Sequence, residues 1–346
     1  MKTKIAINGF GRIGRVFFRV ASERNELDIV AINDLADPEN LAYLLKYDSV
    51  YGRLPFDISL KKETDRAILS VGKKAILLLR QEDPAHLPWK PLDVDIVVEA
   101  TGAFASFAKS QTHLHAGARR VVITAPVKDE PVGDLAGTTV LMGINEEKLE
   151  TCDISSNASC TTNAVSPIIA ILNKQLGIEK AMLNTIHGYT SSQSLVDGNH
   201  AKDFRRGRAA AVNIVPTATG ATTAVTKALP SLNGLFSGIA VRVPTLTGSL
   251  VDITFISKKK TTEKEVNDIL QEAAKEERWK KVFSVTKDPV VSTDIIGSHF
   301  ASIADLSFTK VIDKNFVRVL SWYDNEMGYA HSLVEHVISS GKYIRL

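Results

Sequence analysis

The chain has 346 residues, a length typical of two domains. Hydrophobic residues make up 44% and charged residues 23%, which excludes a disordered or low-complexity chain. The 42 basic and 39 acidic residues nearly balance, so the net charge of +3 gives no argument for nucleic acid or an anionic membrane as a partner. No apolar run approaches the roughly 18–20 residues of a membrane span. Two cysteines, Cys152 and Cys160, are too few for a disulfide framework or a four-ligand zinc site. We therefore expect a soluble, cytoplasmic protein without a metal.

The first 150 residues or so alternate strand and helix patterns. Buried strands are predicted at 4–8, 29–33, 95–100, 120–124 and 139–142. Helices are predicted from about Arg12, over 39–47, and over 104–116 with an end at Gly117. This alternation predicts a parallel sheet with helices on both faces.

The second half carries longer strands, several of them with alternating apolar residues. They are predicted at 181–187, 238–244, 250–257 and 311–323. Thr262 and Glu265 form a capping-box pattern for one helix, and a last helix is predicted at about 327–340, which could pack on either domain. Few helices among many alternating strands indicate an α+β domain with a largely antiparallel sheet.

A glycine-rich loop connects the first strand to the first helix. Gly9, Gly11 and Gly14 have the spacing that allows a tight turn, close approach of a pyrophosphate and close helix–strand packing. The helix N-terminus would add free N–H groups and the positive end of a dipole. Asp34, at the end of the next strand, would bind ribose hydroxyls and favour NAD over NADP. The alternative is a structural turn followed by a solvated aspartate.

The segment 155–163 is unusually polar for one that leads into an apolar helix. If Ser159 or Thr161 caps that helix, Cys160 lies in the field of its positive end, which would depress the thiol pKa. The alternative is a small buried cysteine, although serine, threonine and asparagine are poor core neighbours. We therefore predict a reactive Cys160.

Polar residues that could serve such a thiol follow in other segments. His187 ends a predicted strand beside a polar loop and could act as a base, although a lone histidine there is more often structural. Arg206, Thr219, the Gly220 N–H and Arg242 are donors of the kind that bind phosphate. Taken singly, each is more often a solvated or ion-paired group.

Together, the motifs NGFGRIGR, SNASCTTN, HGYT, RRGRAA, PTATG, VRVP and SWYDNEMGY occur in an order that resembles phosphorylating glyceraldehyde-3-phosphate dehydrogenase of the bacterial and eukaryotic type. The resemblance runs from Ile5 to about His331. It implies a Rossmann-type NAD-binding domain of 1–158 plus a C-terminal helix of about 325–346, and a catalytic domain of 159–324. It also implies a homotetramer in which the loop of about 188–211 reaches a neighbouring subunit's cofactor.

The resemblance assigns roles residue by residue. Cys160 matches the nucleophile and His187 its base, while Thr190 and Arg242 match the site of the substrate's C3 phosphate. Positions around the inorganic phosphate are matched by Ser159, Thr161, Arg206, Thr219 and Gly220. Cofactor positions are matched by Gly9, Gly11, Arg12, Ile13, Gly14, Asp34, Glu82, Thr124, Asn325 and Tyr329. The implied reaction is NAD-dependent oxidation of glyceraldehyde 3-phosphate, with inorganic phosphate, to 1,3-bisphosphoglycerate through a thiohemiacetal and a thioester. No membrane or nucleic acid is required.

Three alternatives stay open on sequence alone. A related erythrose-4-phosphate dehydrogenase would hydrolyse the thioester, although Thr190 and the PTATG loop favour phosphorolysis. An NADP-preferring form is a second alternative, because Asn199 stands where strict NAD enzymes of the family often have proline. A nucleotide- or RNA-binding protein that has lost the reaction is the third. Glu82, where relatives often have a basic residue, is expected to alter cofactor affinity.

Overall fold

The computed structural model describes residues 2–63 and 66–344. The chain divides into two compact units. The first unit comprises Met1–Val140, Asn145–Ala158 and Leu333–Leu346, and the second comprises Leu141–Ile144 and Ser159–Ser332. The C-terminal boundary therefore falls inside the last helix, eight residues beyond the predicted domain limit at 324, and the short segment 141–144 belongs to the second unit.

The described part of the first unit holds a nine-stranded sheet and three helices of its own. In chain order the elements are β1 (Thr3–Asn8), α1 (Arg12–Ala21), β2 (Leu27–Asn33), α2 (Pro38–Lys46), β3 (Tyr47–Asp48), β4 (Gly52–Arg53), β5 (Ile58–Lys62), β6 (Ala67–Val71), β7 (Lys74–Leu79), β8 (Ile96–Glu99), α3 (Phe107–His115), β9 (Arg120–Ile123), β10 (Gly137–Thr139) and β11 (Ile154–Ser156). The sheet order is β10-β11-β9-β8-β1-β2-β7-β6-β5, while β3 and β4 form a separate hairpin.

From β10 to β7 every neighbouring pair is parallel, as the alternating pattern predicted. The sheet also has an antiparallel edge that was not predicted, where β5, β6 and β7 pair antiparallel. These strands are short and connected directly, without the intervening helix that the predicted pattern relied on. Their half-buried alternation (β6 is buried at every second residue) is typical of a meander with one covered face.

Two boundaries in this unit also differ from the prediction. α3 begins at Phe107, not at 104, because the Ser106 side chain caps it by accepting the Lys109 N–H at 3.2 Å. The last predicted strand, at 139–142, lies at Gly137–Thr139. Gly117 adopts φ +106° just beyond the end of α3, as its place in the sequence predicted.

The second unit is built on a seven-stranded sheet. Its elements are α4 (Cys160–Leu176), β12 (Ile178–Gly188), β13 (Val215–Ala218), α5 (Ala221–Ala228), β14 (Phe236–Val243), β15 (Ser249–Ser257), α6 (Glu263–Ala273), β16 (Phe283–Thr286), β17 (Ser302–Ile312) and β18 (Phe316–Tyr323), followed by α7 (Met327–Gly341), which continues into the first unit. The sheet order is β13-β14-β12-β15-β18-β17-β16, and only the β12–β14 and β16–β17 pairs are parallel among the described strands. The predicted α+β domain with a largely antiparallel sheet is confirmed.

The single strand predicted at 311–323 is instead a hairpin. β17 ends at Ile312 and β18 begins at Phe316, and Asp313 and Lys314 between them have φ of 47° and 65°. Left-handed conformations at two successive residues are typical of the primed turns whose twist matches that of paired strands. Three consecutive polar residues, Asp313, Lys314 and Asn315, interrupt the apolar alternation here, and the prediction of one strand did not use this turn signal.

Close packing of the glycine loop generates a stability prediction. A Cβ on Gly14 would lie 2.1 Å from the main-chain oxygen of Gly9, whereas a Cβ on Gly11 would meet nothing within 4 Å. We expect Gly14→Ala to lower the thermal unfolding midpoint by about 4 °C or more, since overpacking costs roughly 1–3 kcal/mol. The matched variant Gly11→Ala should leave the midpoint within about 1–2 °C of the parent. Equal midpoints for the two variants, measured by calorimetry, would contradict the packing described here.

Candidate active site

The glycine loop lines a pocket in the first unit. α1 begins at Arg12 with Gly11 as its N-cap, and no side chain caps the helix. Because glycine has no side chain, the N-cap leaves the end of the helix open to an anion. The lining residues are Asn8, Gly9, Gly11, Asn33, Asp34, Leu35, Gln81, Glu82, Ala100, Thr101, Ala103 and Phe104.

Asp34 joins two parts of this pocket. Its Oδ2 accepts the Phe10 N–H of the glycine loop at 2.6 Å, and its Oδ1 accepts the Ala36 N–H at 2.9 Å. A carboxylate offers about four acceptor positions, so both oxygens retain capacity for ribose hydroxyls. The open space at the missing Cβ of Gly11, the uncapped helix end and this carboxylate together fit a dinucleotide.

The structure brings only some of the predicted cofactor residues to this pocket. Gly9, Gly11, Asp34 and Glu82 line it. Gly14 lies behind the loop against Gly9. Arg12 and Ile13 form the first turn of α1 directly after the glycine loop, and the Arg12 guanidinium pairs with Asp48 at 2.6 Å. The Thr124 N–H donates to the Glu99 main-chain oxygen at 3.0 Å.

Asn325 and Tyr329 belong to the second unit, together with the predicted catalytic residues. The Asn325 side-chain oxygen accepts hydrogen bonds from Ser249 Oγ at 2.7 Å and from Thr247 Oγ1 at 3.1 Å. Tyr329 is buried at the start of α7. Their predicted contact with a cofactor stays a prediction.

The predicted nucleophile lies at the first residue of a helix. Ser159 is the N-cap of α4, and its Oγ accepts the Thr162 N–H at 3.1 Å. Cys160 follows as the first helical residue and is partly exposed. Its Sγ lies 3.4 Å from His187 Nε2. The two predicted catalytic residues are therefore in direct contact.

Strand register places Arg242 beside the imidazole. His187 near the end of β12 pairs directly with Arg242 on the parallel strand β14. The Nδ1 atom of His187 lies 2.7 Å from Arg242 Nη1 and 2.6 Å from the Gly188 main-chain oxygen. With the proton on Nδ1, the ring donates to that oxygen and Nε2 can accept the thiol proton. With the proton on Nε2, Nδ1 accepts from Arg242 and Nε2 donates to sulfur.

Burial dominates the electrostatics of this pair. Burial, and secondly the Arg242 charge, lowers the pKa of His187 to about 3, so the imidazole is neutral at physiological pH. Burial raises the pKa of the Cys160 thiol, and the Arg242 charge and the Thr161 N–H lower it only part of the way back. The predicted depression of this pKa is therefore wrong in its net direction, because desolvation outweighs the Arg242 charge and the hydrogen bonds at Thr161. Proton transfer from sulfur to Nε2 would create two charges that compensate each other.

Tyr323 completes the surroundings of the pair and was not singled out from sequence. Its hydroxyl lies 3.0 Å from Thr161 Oγ1 and 2.8 Å from Thr185 Oγ1, and its ring meets the His187 ring edge-on with centroids 5.9 Å apart. Burial raises the pKa of Tyr323 well above its usual range, so it stays protonated. The available signal was its position at the end of a strand, next to a polar segment.

The predicted phosphate donors form a second cluster. Arg206 Nε donates to Thr217 Oγ1 at 3.0 Å, and its Nη1 donates to Ser192 Oγ at 3.5 Å. Ser192 Oγ also lies 2.9 Å from Thr190 Oγ1, so a serine that sequence reasoning missed links two predicted phosphate residues. Arg242 Nε is buried and has no hydrogen-bond partner among the described residues, which suits an anion.

Thr219 and Gly220 mark the start of α5. Gly220 is the exposed N-cap, and Thr219 Oγ1 accepts the Ala221 N–H at 3.2 Å. An N-terminus capped by glycine leaves main-chain donors available, as the predicted phosphate role requires. The predicted phosphate residues thus lie on four separate segments of the second unit, namely the start of α4, the loop after β12, the start of α5 and β14, and their convergence on one ligand stays a prediction.

Other features bear on the chemistry less directly. Cys152 is buried, and burial raises the pKa of its thiol to about 11, which makes it a poor nucleophile. Over residues 2–63 and 66–344, no group of three or more histidine, cysteine, aspartate or glutamate residues could hold a metal ion. Within the same ranges, no helix has the length and apolar character needed to cross a membrane.

A dinucleotide pocket in one unit and a cysteine–histidine pair in the other define a thiol-dependent oxidoreductase. Family comparison agrees: residues 3–107 match the glyceraldehyde 3-phosphate dehydrogenase NAD binding domain, and residues 159–325 match the C-terminal domain of the same family. The chain is 46% identical over 348 residues to the glyceraldehyde-3-phosphate dehydrogenase of Mycobacterium avium, with 99% of each chain covered. It is 44% identical over 337 residues to that of Geobacillus stearothermophilus, with 97% of each covered.

The chain belongs to the glyceraldehyde-3-phosphate dehydrogenase family, as its motifs predicted. It is an enzyme, and NAD is its cofactor. The residues of the first unit that would hold NAD are those of the glycine loop and Asp34, and the predicted Rossmann-type fold is confirmed.

The position of Arg242 predicts its effect on thiol reactivity. Because the Arg242 charge lowers the pKa of Cys160, the neutral variant Arg242→Gln should raise that pKa and reduce the thiolate fraction at a given pH. We expect alkylation by iodoacetamide at about pH 8 to slow by roughly three- to tenfold, with the rise in rate moved to higher pH.

The control for this experiment is Arg318→Gln, which removes an exposed guanidinium paired with Asp252 at 2.6 Å. This variant should react at the parental rate. Equal alkylation profiles for the parent and Arg242→Gln would show that Arg242 does not influence the sulfur.

Proposed function

We propose that the protein oxidises glyceraldehyde 3-phosphate with NAD and inorganic phosphate to give 1,3-bisphosphoglycerate. The 3.4 Å contact between Cys160 Sγ and His187 Nε2 is the observation that carries the proposal, because it pairs a nucleophile with a neutral base. The whole-length similarity to enzymes named glyceraldehyde-3-phosphate dehydrogenase supports this choice of substrate. On this proposal the enzyme serves glycolysis or gluconeogenesis.

The first step joins the thiol to the aldehyde. Sulfur attacks the carbonyl carbon while His187 Nε2 takes the thiol proton, and the imidazolium then protonates the new oxyanion to give a thiohemiacetal on Cys160. This transfer avoids a free thiolate in a buried site, where desolvation raises the pKa of the sulfur. The neutral His187 is thereby restored for the second step.

In the second step His187 takes the proton of the thiohemiacetal hydroxyl. NAD, when bound, supplies the acceptor for the hydride that leaves the same carbon. The product on Cys160 is a thioester, which keeps much of the oxidation energy that a free carboxylate would lose. The protonated ring is stabilised by the Gly188 main-chain oxygen, which lies 2.6 Å from Nδ1.

In the third step inorganic phosphate attacks the thioester carbon, and the sulfur leaves as a thiolate that receives the proton from His187. Two phosphate groups must then be held, that of the substrate and the attacking one. We assign the substrate's C3 phosphate to Thr190 and Arg242. The attacking phosphate is assigned to Ser159, Thr161, Arg206, Thr219 and Gly220. Ser159 already caps α4 through Oγ, so its contribution is a donated hydroxyl proton.

We also propose that the enzyme is a homotetramer in the cytoplasm. One face of the seven-stranded sheet exposes large apolar side chains, among them Met182 (62% exposed), Ile239 (52%) and Phe316 (44%). The residues of opposite parity, Leu183 and Phe255, are buried. An apolar sheet face of this kind is suited to burial against another copy of the chain. The two free cysteines agree with a reducing compartment.

The proposal is tested by following NADH absorbance with glyceraldehyde 3-phosphate and NAD, with and without inorganic phosphate. We expect sustained turnover only with phosphate, and a loss of at least about 10³-fold in kcat for Cys160→Ser, because a hydroxyl is far less acidic than a thiol. Cys152→Ser is the matched control and should retain turnover.

Turnover that is indifferent to phosphate would contradict the proposal and indicate thioester hydrolysis. Turnover with NADP but not NAD would contradict the cofactor preference that rests on Asp34. Absence of any reaction, in a chain that still binds NAD, would favour a binding protein.

A further inference from the structure

A chain of buried polar side chains lies at the carboxyl ends of three adjacent strands in the first unit. Asn8 at the end of β1 pairs in register with Glu99 of β8 on one side and with Asn33 of β2 on the other. All three are at least 96% buried, yet neither the proposed chemistry nor the Asp34 contact uses them. Buried polar side chains need hydrogen-bond partners, and the partners of these three show what they hold in place.

Trp89 determines which groups donate and which accept in this chain of side chains. Its indole N–H donates to His113 Nδ1 at 3.1 Å, and both side chains are fully buried. Because an indole nitrogen can only donate, Nδ1 must accept and the ring proton lies on Nε2. Nε2 then donates to Glu99 Oε2 at 3.1 Å.

Glu99 is the centre of this chain. Oε2 accepts from His113 and from Asn8 Nδ2 at 2.6 Å, while Oε1 accepts from the Thr101 N–H at 2.8 Å and from the Thr101 hydroxyl. The four acceptor positions of the two carboxyl oxygens are thus filled by four donors. The 3.4 Å between Asn8 Nδ2 and His113 Nε2 separates two donors that share one oxygen.

The chain of buried polar side chains reaches the dinucleotide pocket at two points, Thr101 and Gln81. At the first point, Glu99 holds the main chain of Thr101. At the second point, Asn33 Nδ2 donates to Asn8 Oδ1 at 2.8 Å. The same Asn33 side chain makes two hydrogen bonds to the Gln81 main chain: Oδ1 accepts the Gln81 N–H at 2.8 Å, and Nδ2 donates to the Gln81 oxygen at 2.9 Å. Thr101 and Gln81 belong to two separate loops that line the pocket.

We propose that Glu99 and His113 are positioning residues that preorganise the NAD pocket by holding the Thr101 and Gln81 loops in place before the cofactor binds. Neither side chain lines the pocket, so both act through other residues. The Thr101 loop is also where the glycine loop packs, since a Cβ on Gly9 would lie 2.6 Å from the Thr101 nitrogen. Loops already ordered in the free protein lose less conformational entropy on binding, which strengthens affinity.

The variant Glu99→Gln tests this proposal without a change of shape. In either orientation its amide nitrogen faces donors, and with the amide oxygen towards Asn8 and His113 the Thr101 N–H loses its acceptor. We expect calorimetry to show about tenfold weaker NAD binding. Hydrogen exchange without NAD should show faster exchange at the Thr101 amide. The readout is NAD binding and not turnover, so it is independent of the chemistry proposed above.

The control is Val97→Ala, which makes a cavity in the same strand at a fully buried residue outside the polar chain. It should lower the thermal unfolding midpoint and leave NAD affinity unchanged. The proposal is overturned if Glu99→Gln binds NAD as the parent does, or if Val97→Ala weakens binding by the same factor.

Two further measurements decide the question if Glu99→Gln fails to fold. In the parent chain without NAD, the amides of Thr101 and Gln81 should be protected from exchange, and exchange at the rate of an unstructured peptide would refute the proposal. Trp89→Phe removes the donor to Nδ1 and allows His113 to turn its proton away from Glu99. It should weaken NAD binding by a smaller factor of about three, and unchanged affinity would count against the proposal.

Discussion

The contact between Cys160 and His187 is the interaction on which the second unit is organised. It requires a helix that begins at the sulfur and a strand that ends at the imidazole, and α4 and β12 meet these two requirements. Burial makes both charged forms unfavourable when each is taken alone. A proton that passes between the two groups avoids this cost, because the resulting charges neutralise each other. Arg242, in register with His187, lowers the pKa of both groups through its charge.

The first unit presents main-chain donors and one carboxylate to a dinucleotide. Its polar residues gather where parallel strands end, since the carboxyl ends of such strands meet at one edge of the sheet. Asp34 lies at such a strand end and holds the glycine loop. The buried polar side chains that connect Trp89 to Gln81 hold two other loops of the pocket. The same topology therefore explains both the site that binds and the buried polar layer that supports it.

Sequence predicted the fold class, most elements and the cysteine–histidine pair, because each has a local signature: glycine spacing, helical periodicity or a polar segment before an apolar helix. It failed at the hairpin of β17 and β18, where the polar residues Asp313, Lys314 and Asn315 fall within one predicted strand although they form a turn. It also missed the antiparallel edge of β5 to β7, because these short strands follow one another directly along the chain without the helices on which the predicted pattern relied. The sign of the Cys160 pKa shift was wrong for a related reason: a helix end is visible in sequence, whereas depth of burial is not.

Residues that act through others were the hardest to find. Ser192, Glu99 and His113 lie in none of the motifs, and Tyr323 lies in one that assigns it no role; each gains its meaning from a contact seen only in the fold. His113 in particular stands in a helix with no motif around it, and it is fully buried. Only the indole of Trp89, 24 residues earlier in the chain, determines which of its nitrogens carries the proton.

The most direct test of the account is to trap the acyl group on Cys160. The protein is mixed with NAD and glyceraldehyde 3-phosphate in the absence of inorganic phosphate, quenched in acid, and examined by peptide mass spectrometry. The account predicts a phosphoglyceroyl thioester on the peptide that contains Cys160, which disappears when phosphate is added before the quench and is replaced by an acyl phosphate in solution. An acyl group on another residue, or NADH formed with no acylated peptide whether or not phosphate is present, would contradict it.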